Sequence, residues 1–431
     1  MNRSEGSAKP ERRRDLDFMR MFVVVGLVFF HSARVFDSGD FYVKNRPPSE
    51  VSDFFIGFAS TWGMPLLFVI SGMGIWYSLR SRATGAFAWE RVRRLLVPLV
   101  FGVLVIVPPQ VWTDLRANSA YGGSYRDLMS RFLDLKFQLG HFPFVVGASE
   151  PLGVFQTAHL WFLVLLFAWS LLLLPLIWYL RQPSGLRLLD RLAAKIDRFS
   201  LMVLAALPLV LFDVVFKGEV VLAGSNRLSY AVFILYGYVL ASDHRFGHAI
   251  RTHRKRALLA GIVTFGIVGA AVLGSGRAGS ELLEGSDAAS LLMRAARAFS
   301  GWFWVVAIMG FAARLAKPRA ANSDATSKSS FMKRVGAYLS EAVLPVYVLH
   351  QTVIVLLAFY IVEWQVNALV KYLALSTGSL VVIMVIHDLV IRRTAVTRFL
   401  FGMKPSRHAA NSAMLPNKGN EPAERSSSTI N

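Results

Sequence analysis

An arginine and a histidine share one face of the first apolar segment of the chain. Arg20 and His31 are separated by the run MFVVVGLVFF. Eleven helical residues make about three turns, so both side chains would point the same way, roughly 16 Å apart along the axis. Ionisable side chains at membrane depth are costly and usually face a protein interior or a watery cavity. The pair therefore predicts a functional site.

Arg20 on its own also fits a simpler interpretation. A long cationic side chain at a helix end can snorkel to the membrane interface without any further role. Asp17 lies one turn before Arg20 and could hold its guanidinium group in an i,i+3 ion pair.

Two further histidines are predicted to reach the same depth from other helices. His350 lies inside the sequence VYVLHQTV, and His159 opens the apolar run AHLWFL. Three imidazoles from separate helices could line one outward-facing cavity. The alternative for His159 and Trp161 is a belt of amphipathic rings at the membrane interface.

Arginines and small residues mark two other segments. Arg91 and Arg94 stand in RVRRLLVP, and clustered guanidinium groups suit phosphate, although orientation in the membrane would also place arginines there. Residues 63–74, GMPLLFVISGMG, include Pro65 and Ser71. A broken or tightly packed helix beside a site and ordinary helix packing both explain this composition.

The elements that position these residues are predicted from composition. The 431 residues are 54% hydrophobic and 17% charged, with a mean hydropathy of +0.47, which is typical of a polytopic membrane protein. The chain has no cysteine, which excludes thiol nucleophiles, cysteine-liganded metals and disulfides. No nucleotide-binding, zinc-protease or serine-hydrolase motif stands in a suitable context, and we expect no metal site.

Apolar stretches long enough to cross a bilayer recur along the chain and predict an all-α fold of about ten transmembrane helices. The predicted spans are 18–36, 53–79, 95–112, 159–180, 200–216, 228–242, 257–274, 299–315, 338–360 and 370–391. Most of the 47 Lys and Arg residues then fall on the side of the two termini, which the positive-inside rule makes cytoplasmic. The basic net charge of +20 thus orients a membrane protein and is poor support for nucleic-acid binding. The expected location is the cell inner membrane, as a multi-pass protein.

The organisation predicted from these spans has three parts. Residues 1–17 form a cytoplasmic segment, 18–391 the membrane domain and 392–431 a cytoplasmic tail that is disordered after 405. An outer loop at 113–158 is rich in aromatic residues, which could stack on sugar rings or simply pack the loop. The polar inner stretch 317–330 is expected to be disordered.

Several motifs in order resemble the acyltransferase 3 family of integral-membrane O-acyltransferases. They are Leu16-Asp17-x-x-Arg20, the Arg-x10-His spacing to His31, FVISG at 68–72, Arg91-x-x-Arg94, HLWFL at 159–163 and Tyr347-x-x-His350. The tail RFLFGMKP at 398–405 and the ten-span layout look most like the glucans biosynthesis protein C branch, which is associated with succinylation of periplasmic glucans.

The resemblance implies roles for these residues. Arg20 and His31 would be required for activity, and Arg91 with Arg94 would engage a cytoplasmic acyl-CoA donor. The expected reaction transfers an acyl group, succinyl or acetyl, to hydroxyls of an extracytoplasmic glucan or other glycan. His31 would be the general base or would carry the acyl group covalently. No tightly bound cofactor is expected.

Other residues are expected to support this chemistry. His350, Tyr347 and His159 would position the acceptor or stabilise the oxyanion. Relatives often carry a second histidine where this chain has Gln351, so that position would tune the chemistry without performing it.

Two other classes of function remain open at this point. A proton-coupled transporter or a glycan flippase could use the histidines as a relay and the arginines as substrate anchors. Against it, no repeat symmetry relates the two halves, and Asp213 and Glu363 lie at span ends instead of the midplane. A non-catalytic membrane scaffold would leave the depth of His31 unexplained.

Overall fold

The predicted spans are helical in the computed structural model, which describes residues 14–118, 121–137, 145–147, 154–216, 221–222, 225–315 and 326–404. The helices are α1 (Arg14–Ala33), α2 (Glu50–Arg80), α3 (Thr84–Asn118), α4 (Tyr125–Phe132), α5 (Ala158–Leu172), α6 (Leu174–Leu180), α7 (Pro183–Lys195), α8 (Phe199–Val215), α9 (Arg227–Ser242), α10 (His244–Ser275), α11 (Gly279–Glu284), α12 (Ala288–Leu315), α13 (Thr326–Ile361), α14 (Ala368–Ile391) and α15 (Ala395–Leu400). Two short antiparallel strand pairs join Leu135–Phe137 to Val145–Gly147 and Val221–Leu222 to Ser225–Asn226.

The all-α polytopic class is confirmed. Within the described ranges, seven helices are long and apolar enough to cross a membrane, and the bent pair α5 and α6, which turns by 49°, makes an eighth. The shorter apolar helices α8 and α9 occupy the positions of the fifth and sixth predicted spans. Ten crossings therefore stay a prediction, which requires that both α8 and α9 span the membrane.

Several helices extend past the predicted boundaries. α1 begins at Arg14 instead of residue 18, α3 continues to Asn118 inside the predicted outer loop, and α10 begins at His244. Hydropathy marks only the apolar part of a helix, and the polar turns that continue it into water carry no such signal.

The prediction of disorder over 317–330 was wrong at its end, because α13 begins at Thr326. The rest of that stretch lies outside the described residues, as do 1–13 and the tail from 405 onward. The start of the tail is ordered against the bundle: α15 packs on α3, and the rings of Phe101 and Phe401 lie 5.3 Å apart in an edge-to-face contact.

α1 lies inside the bundle. It packs against α2 and α13, α13 packs against α3, α3 against α5, and α5 against α2, so that these five helices form a closed ring of contacts. The face of α1 that carries Arg20 and His31 is thereby turned towards protein. The remaining long helices pack mainly outside this ring, with α9 against α2 and α10 against α12.

The contact between α2 and α9 depends on two glycines. A Cβ at Gly72 would lie 1.9 Å from the backbone oxygen of Ile234, and a Cβ at Gly237 would lie 1.9 Å from that of Val69. Small residues let membrane helices approach this closely. α2 runs unbroken through Pro65. A broken helix at 63–74 is therefore wrong, and the close approach of α2 and α9 agrees with tight or ordinary helix packing.

Candidate active site

Three histidine rings from three helices meet inside the ring of helices. The centroid of the His350 ring lies 4.9 Å from that of His31 and 4.9 Å from that of His159. His350 is fully buried and His159 is 5% exposed, whereas His31 is only partly buried. Burial of His159 inside the protein contradicts the interpretation of this residue as part of an interfacial belt. We call these three residues the histidine cluster.

Backbone carbonyls fix which nitrogen carries the proton in two of the rings. The His159 Nε2 lies 2.9 Å from the oxygen of Val348, and the His350 Nδ1 lies 2.6 Å from the oxygen of Tyr347. A carbonyl can only accept a hydrogen bond, so both of these nitrogens must donate. The other nitrogen of each neutral ring is then a lone-pair acceptor.

The remaining nitrogens in the histidine cluster are buried without partners. Within the described part of the chain, no hydrogen bond reaches His159 Nδ1, His350 Nε2 or His31 Nδ1. Buried polar atoms are nearly always hydrogen-bonded in folded proteins. Three such atoms on adjacent rings indicate a place where a substrate or a proton is received.

A hydroxyl holds the backbone that carries His159. Tyr347, almost fully buried, donates a hydrogen bond to the carbonyl oxygen of His159. Together with the bond from the His159 ring to Val348, it joins the start of α5 to the middle of α13. Tyr347 therefore positions His159.

The residue before His159 adopts an unusual backbone conformation. Ala158 has a φ of +47°, in the left-handed region that residues with a Cβ rarely occupy. A short 3₁₀ turn over Ala158–Leu160 follows, and α5 continues from there. Such conformations persist where surrounding contacts enforce them, and they concentrate at functional sites.

The loop between α1 and α2 covers the histidine cluster on the side predicted to face outside. The ring of Phe41 stacks on that of His31, with centroids 6.2 Å apart. The Tyr42 hydroxyl donates to Oε1 of Gln156 at 2.7 Å. Burial, and then the nearby negative charge of Asp114, raises the pKa of Tyr42, which keeps this hydroxyl protonated.

Two buried amides lie beside this cover. Gln351 Nε2 donates to Oε1 of Gln110 at 3.0 Å, and both residues are at most 4% exposed. The Nε2 of Gln110 has no partner in the described structure. Gln351 stands out in the sequence because it follows His350, whereas Gln110 does not. A single glutamine in an apolar helix does not indicate which neighbouring helix it contacts.

Arg20 lies nearer the predicted cytoplasmic side, next to α2 and α3. A Cβ on Gly74 would lie 3.6 Å from its Nη2, and its charge acts on that of Arg91. The guanidinium group of Arg91 lies 4.5 Å from the centroid of the Phe87 ring, and its Nε is buried without a partner in the part of the chain described. Two guanidinium groups thus lie within electrostatic range of each other, and Glu90 acts on Arg91 as well.

Arg94 behaves differently from Arg91. Its Nε forms an ion pair of 3.2 Å with Glu90, and Arg82 binds the same carboxylate. The two arginines of the RxxR motif lie in or beside a π-helical stretch, Val92–Leu96, and their expected binding of the acyl-CoA donor stays a prediction. Arg91 lies within electrostatic range of both Glu90 and Arg20, whereas Arg94 forms an ion-pair network with Glu90 and Arg82.

The other residues singled out from the sequence lie near the site without direct hydrogen bonds to it that we can describe. Trp161 packs inside the bundle, with its ring centroid 5.4 Å from that of Tyr230 and 6.3 Å from that of Phe68. Ser71 is partly buried on α2, and Asp17 lies one turn before Arg20 on α1. Their roles stay predictions.

The fold and the site define a helical membrane protein with imidazoles enclosed in the bundle and guanidinium groups on their predicted cytoplasmic side. A family model described as an acyltransferase domain matches residues 13–388, nearly the whole chain, and the protein therefore belongs to the acyltransferase 3 family. It is a membrane acyltransferase by that membership. No curated protein and no solved structure matches the chain.

Proposed function

We propose that this acyltransferase moves an acyl group, succinyl or acetyl, from cytoplasmic acyl-CoA to a hydroxyl of an extracytoplasmic glycan, with a glucan as the first acceptor to test. The histidine cluster is the observation that carries the proposal. It offers unpartnered nitrogens at one end of the α1 face, and Arg20 stands at the other end, roughly 16 Å away.

The reaction needs one base. His31 takes the proton of the acceptor hydroxyl as the oxygen attacks the carbonyl carbon of the thioester. The carbon–sulfur bond breaks, and the CoA thiolate receives the proton from the imidazolium. The products are the acyl ester and free CoA thiol, and His31 returns to its neutral form.

His31 suits this role better than its two neighbours. The rings of His159 and His350 are tied to backbone carbonyls and almost completely buried, whereas His31 is partly exposed and forms no such tie that we can describe. The ring of His350 lies beside that of His31 and offers an acceptor nitrogen there, and His159 contacts His350 in turn.

Arg20 and Arg91 are the proposed anchors for the phosphate groups of the donor. Arg91 has a buried Nε without a partner in the described structure, and Arg20 lies within electrostatic range of it. Guanidinium groups bind phosphate with paired hydrogen bonds. With the phosphates held there, the extended pantetheine arm is comparable in length to the distance from Arg20 to His31.

The cover over the cluster supports a polar acceptor. Phe41 offers a ring face beside His31, while Tyr42, Gln156 and the Gln110–Gln351 pair supply hydrogen-bonding groups. Sugars are bound by this combination of aromatic faces and amide or hydroxyl groups.

The test uses purified protein in liposomes. Acyl-labelled acyl-CoA is supplied on the cytoplasmic side and periplasmic glucan on the other, and labelled glucan is measured by mass spectrometry. The native protein should transfer the label, and His31→Ala should not. Normal transfer by that variant contradicts the assigned role of His31.

A second arm addresses the transporter alternative. Movement of labelled glucan across the membrane in the absence of acyl-CoA indicates transport, and an acyltransferase should show none. Mass spectrometry of extracytoplasmic glycans from cells with and without the gene identifies the acyl group and the acceptor.

A further inference from the structure

A small cavity with mostly apolar walls and two arginines lies on the far side of α2 from Arg20. It has a volume of about 140 Å³. Trp76, Leu79, Arg80, Arg181, Leu186 and Tyr238 line it. We call it the interfacial cavity, because Arg80 ends α2 and Arg181 follows α6, both on the side predicted to be cytoplasmic.

The interfacial cavity is separate from the acyltransferase site. Gly72 and Trp76 lie one turn apart on the face of α2 that contacts α9, whereas Gly74 faces Arg20. Helical geometry places residues two apart on different sides of the helix. A molecule in this cavity would therefore not occupy the proposed donor path.

Two buried donor groups in the cavity wall lack partners. Tyr238 is fully buried, and its hydroxyl has no hydrogen bond within the described residues. The Nε1 of Trp76, on the facing helix, is likewise buried and unpartnered there. Buried donors without acceptors are disfavoured, and the indole nitrogen can only donate. A ligand in the cavity could therefore supply the hydrogen-bond acceptors that these two donors lack.

The charges at the cavity mouth have one sign. The guanidinium group of Arg80 lies 5.9 Å from the centroid of the Trp76 ring, and the charge of Arg181 acts on the Tyr238 hydroxyl. Among the residues that the structure describes, neither arginine forms an ion pair with a carboxylate. Two free cations and two buried donors fit an anion rich in acceptor oxygens, above all a phosphoryl group.

The remaining walls are apolar and lie beside an amphipathic helix. Leu79 and Leu186 line the cavity, and α7, to which Leu186 belongs, carries exposed leucines as well as exposed basic residues. Helices of this kind lie in the plane of the membrane interface. Basic pockets between helices on the cytoplasmic side are a recurrent way to bind anionic lipid head groups.

We propose that the interfacial cavity binds the phosphodiester of an anionic phospholipid. Arg80 and Arg181 contact the phosphate oxygens, Tyr238 and Trp76 donate hydrogen bonds to the head group, and the leucines contact the first carbons of an acyl chain. The apolar walls favour a lipid over free phosphate as the source of the phosphoryl group.

The experiment measures lipid retention by the full chain. Purified protein is titrated with phosphatidylglycerol or phosphatidylcholine, and bound lipid is counted by native mass spectrometry. The native protein should prefer phosphatidylglycerol by at least about tenfold, since each interfacial arginine favours an anionic lipid by about 1 kcal/mol. The double variant Arg80→Gln/Arg181→Gln should lose that preference.

A matched control removes two charges from the same region. Arg187→Gln/Arg191→Gln lie on the exposed surface of α7 outside the cavity, and this variant should keep the preference. Tyr238→Phe should weaken phosphatidylglycerol binding severalfold without lowering thermal stability in the absence of this lipid, because it deletes only an unpartnered hydroxyl.

Three results overturn the proposal. They are equal retention of both lipids by the native protein, an equal loss of preference in the Arg187/Arg191 control, and displacement of phosphatidylglycerol by inorganic phosphate or by CoA at low millimolar concentration. The last result would assign the cavity to a free phosphate compound instead of a lipid.

Discussion

Two hydrogen bonds of opposite direction join the segment of Tyr347 to the segment of His159. The Tyr347 hydroxyl donates to the His159 carbonyl, while the His159 ring donates to the carbonyl of Val348, the residue that follows Tyr347. The broken span that begins with α5 is thus joined to α13 at the depth of the histidine cluster. The position of the cluster depends on these two bonds as much as on the helices.

Removing the hydroxyl in Tyr347→Phe should loosen His159 without emptying the space beside it. We expect a loss of about 1 kcal/mol in stability, the usual net worth of one hydrogen bond, and a fall in the transfer rate with little change in the apparent affinity for acyl-CoA. Thermal melting and acyl-transfer kinetics measure the two effects. The control is Tyr360→Phe on the same helix, where the side chain is 70% exposed. If both variants behave alike, the bond to His159 does not matter.

The close contact of α2 and α9 gives a prediction about packing. Gly72→Ala would place its Cβ 1.9 Å from a backbone oxygen of α9, so the helices must move apart. Forcing an extra carbon into a packed interior costs about 1–3 kcal/mol, and the melting temperature should fall accordingly. Gly63→Ala, on the same helix with no atom within 4 Å of the new Cβ, should melt like the native protein. A stable Gly72→Ala variant would show that the two helices are less tightly opposed than described.

A pH effect is expected at the start of α10, which is predicted to be cytoplasmic. Asp243 caps this helix by accepting from the backbone nitrogen of Arg245 at 2.8 Å, and its carboxylate also pairs with the Arg245 guanidinium group at 2.7 Å. The hydrogen bond from that side chain is the main cause that lowers the pKa of Asp243 to about 2. A lowered pKa stabilises the fold above the unfolded value of about 3.9, and the gain is lost as pH falls through about 2.

Asp243→Asn isolates the charge, because asparagine caps a helix about as well as aspartate. At pH 6 the melting temperature of the native protein should be slightly higher than that of this variant, since exposed ion pairs contribute less than about 1 kcal/mol. The margin should shrink between pH 4 and pH 2, as measured by melting in detergent. A margin that does not change with pH would mean that the charge of Asp243 is not its source.

The features that sequence predicted well depend on local periodicity. Arg20 and His31 share a face because α1 is a regular helix, and a hydropathy profile locates the helices in which the other histidines stand. The sequence alone does not show which side chains from other helices lie next to a given residue. The pairing of Gln110 with Gln351 and the left-handed Ala158 are set by contacts between distant segments, for which single positions carry no signal.

Arg91 and Arg94 show a second limit of the sequence. The sequence places the two arginines in one basic cluster and does not reveal which carboxylates they contact. In the structure they lie in or beside a π-helical stretch, which changes the direction of successive side chains, and Glu90 forms an ion pair with Arg94. Such contacts depend on local helix geometry that the motif itself does not contain.

Replacing each histidine of the cluster in turn by glutamine separates the roles of the three side chains. His31→Gln keeps a polar side chain of similar size but cannot take a proton, and transfer should fall by about 10²–10⁴-fold, the usual contribution of a general base. His159→Gln should lose less, because a glutamine amide can still donate to the Val348 carbonyl. His248→Gln, at an exposed site on α10, should transfer at the native rate.

The comparison is made at saturating acyl-CoA in liposomes, so that differences report the chemical step. His350→Gln decides whether His31 or His350 supplies the base, because each carries a buried nitrogen without a partner in the described structure. Because the Nε2 of His350 is an acceptor in the described structure, it could serve as the base itself. A near-complete loss in His350→Gln together with substantial transfer in His31→Gln would move the base from α1 to α13, whereas the reverse order keeps it at His31.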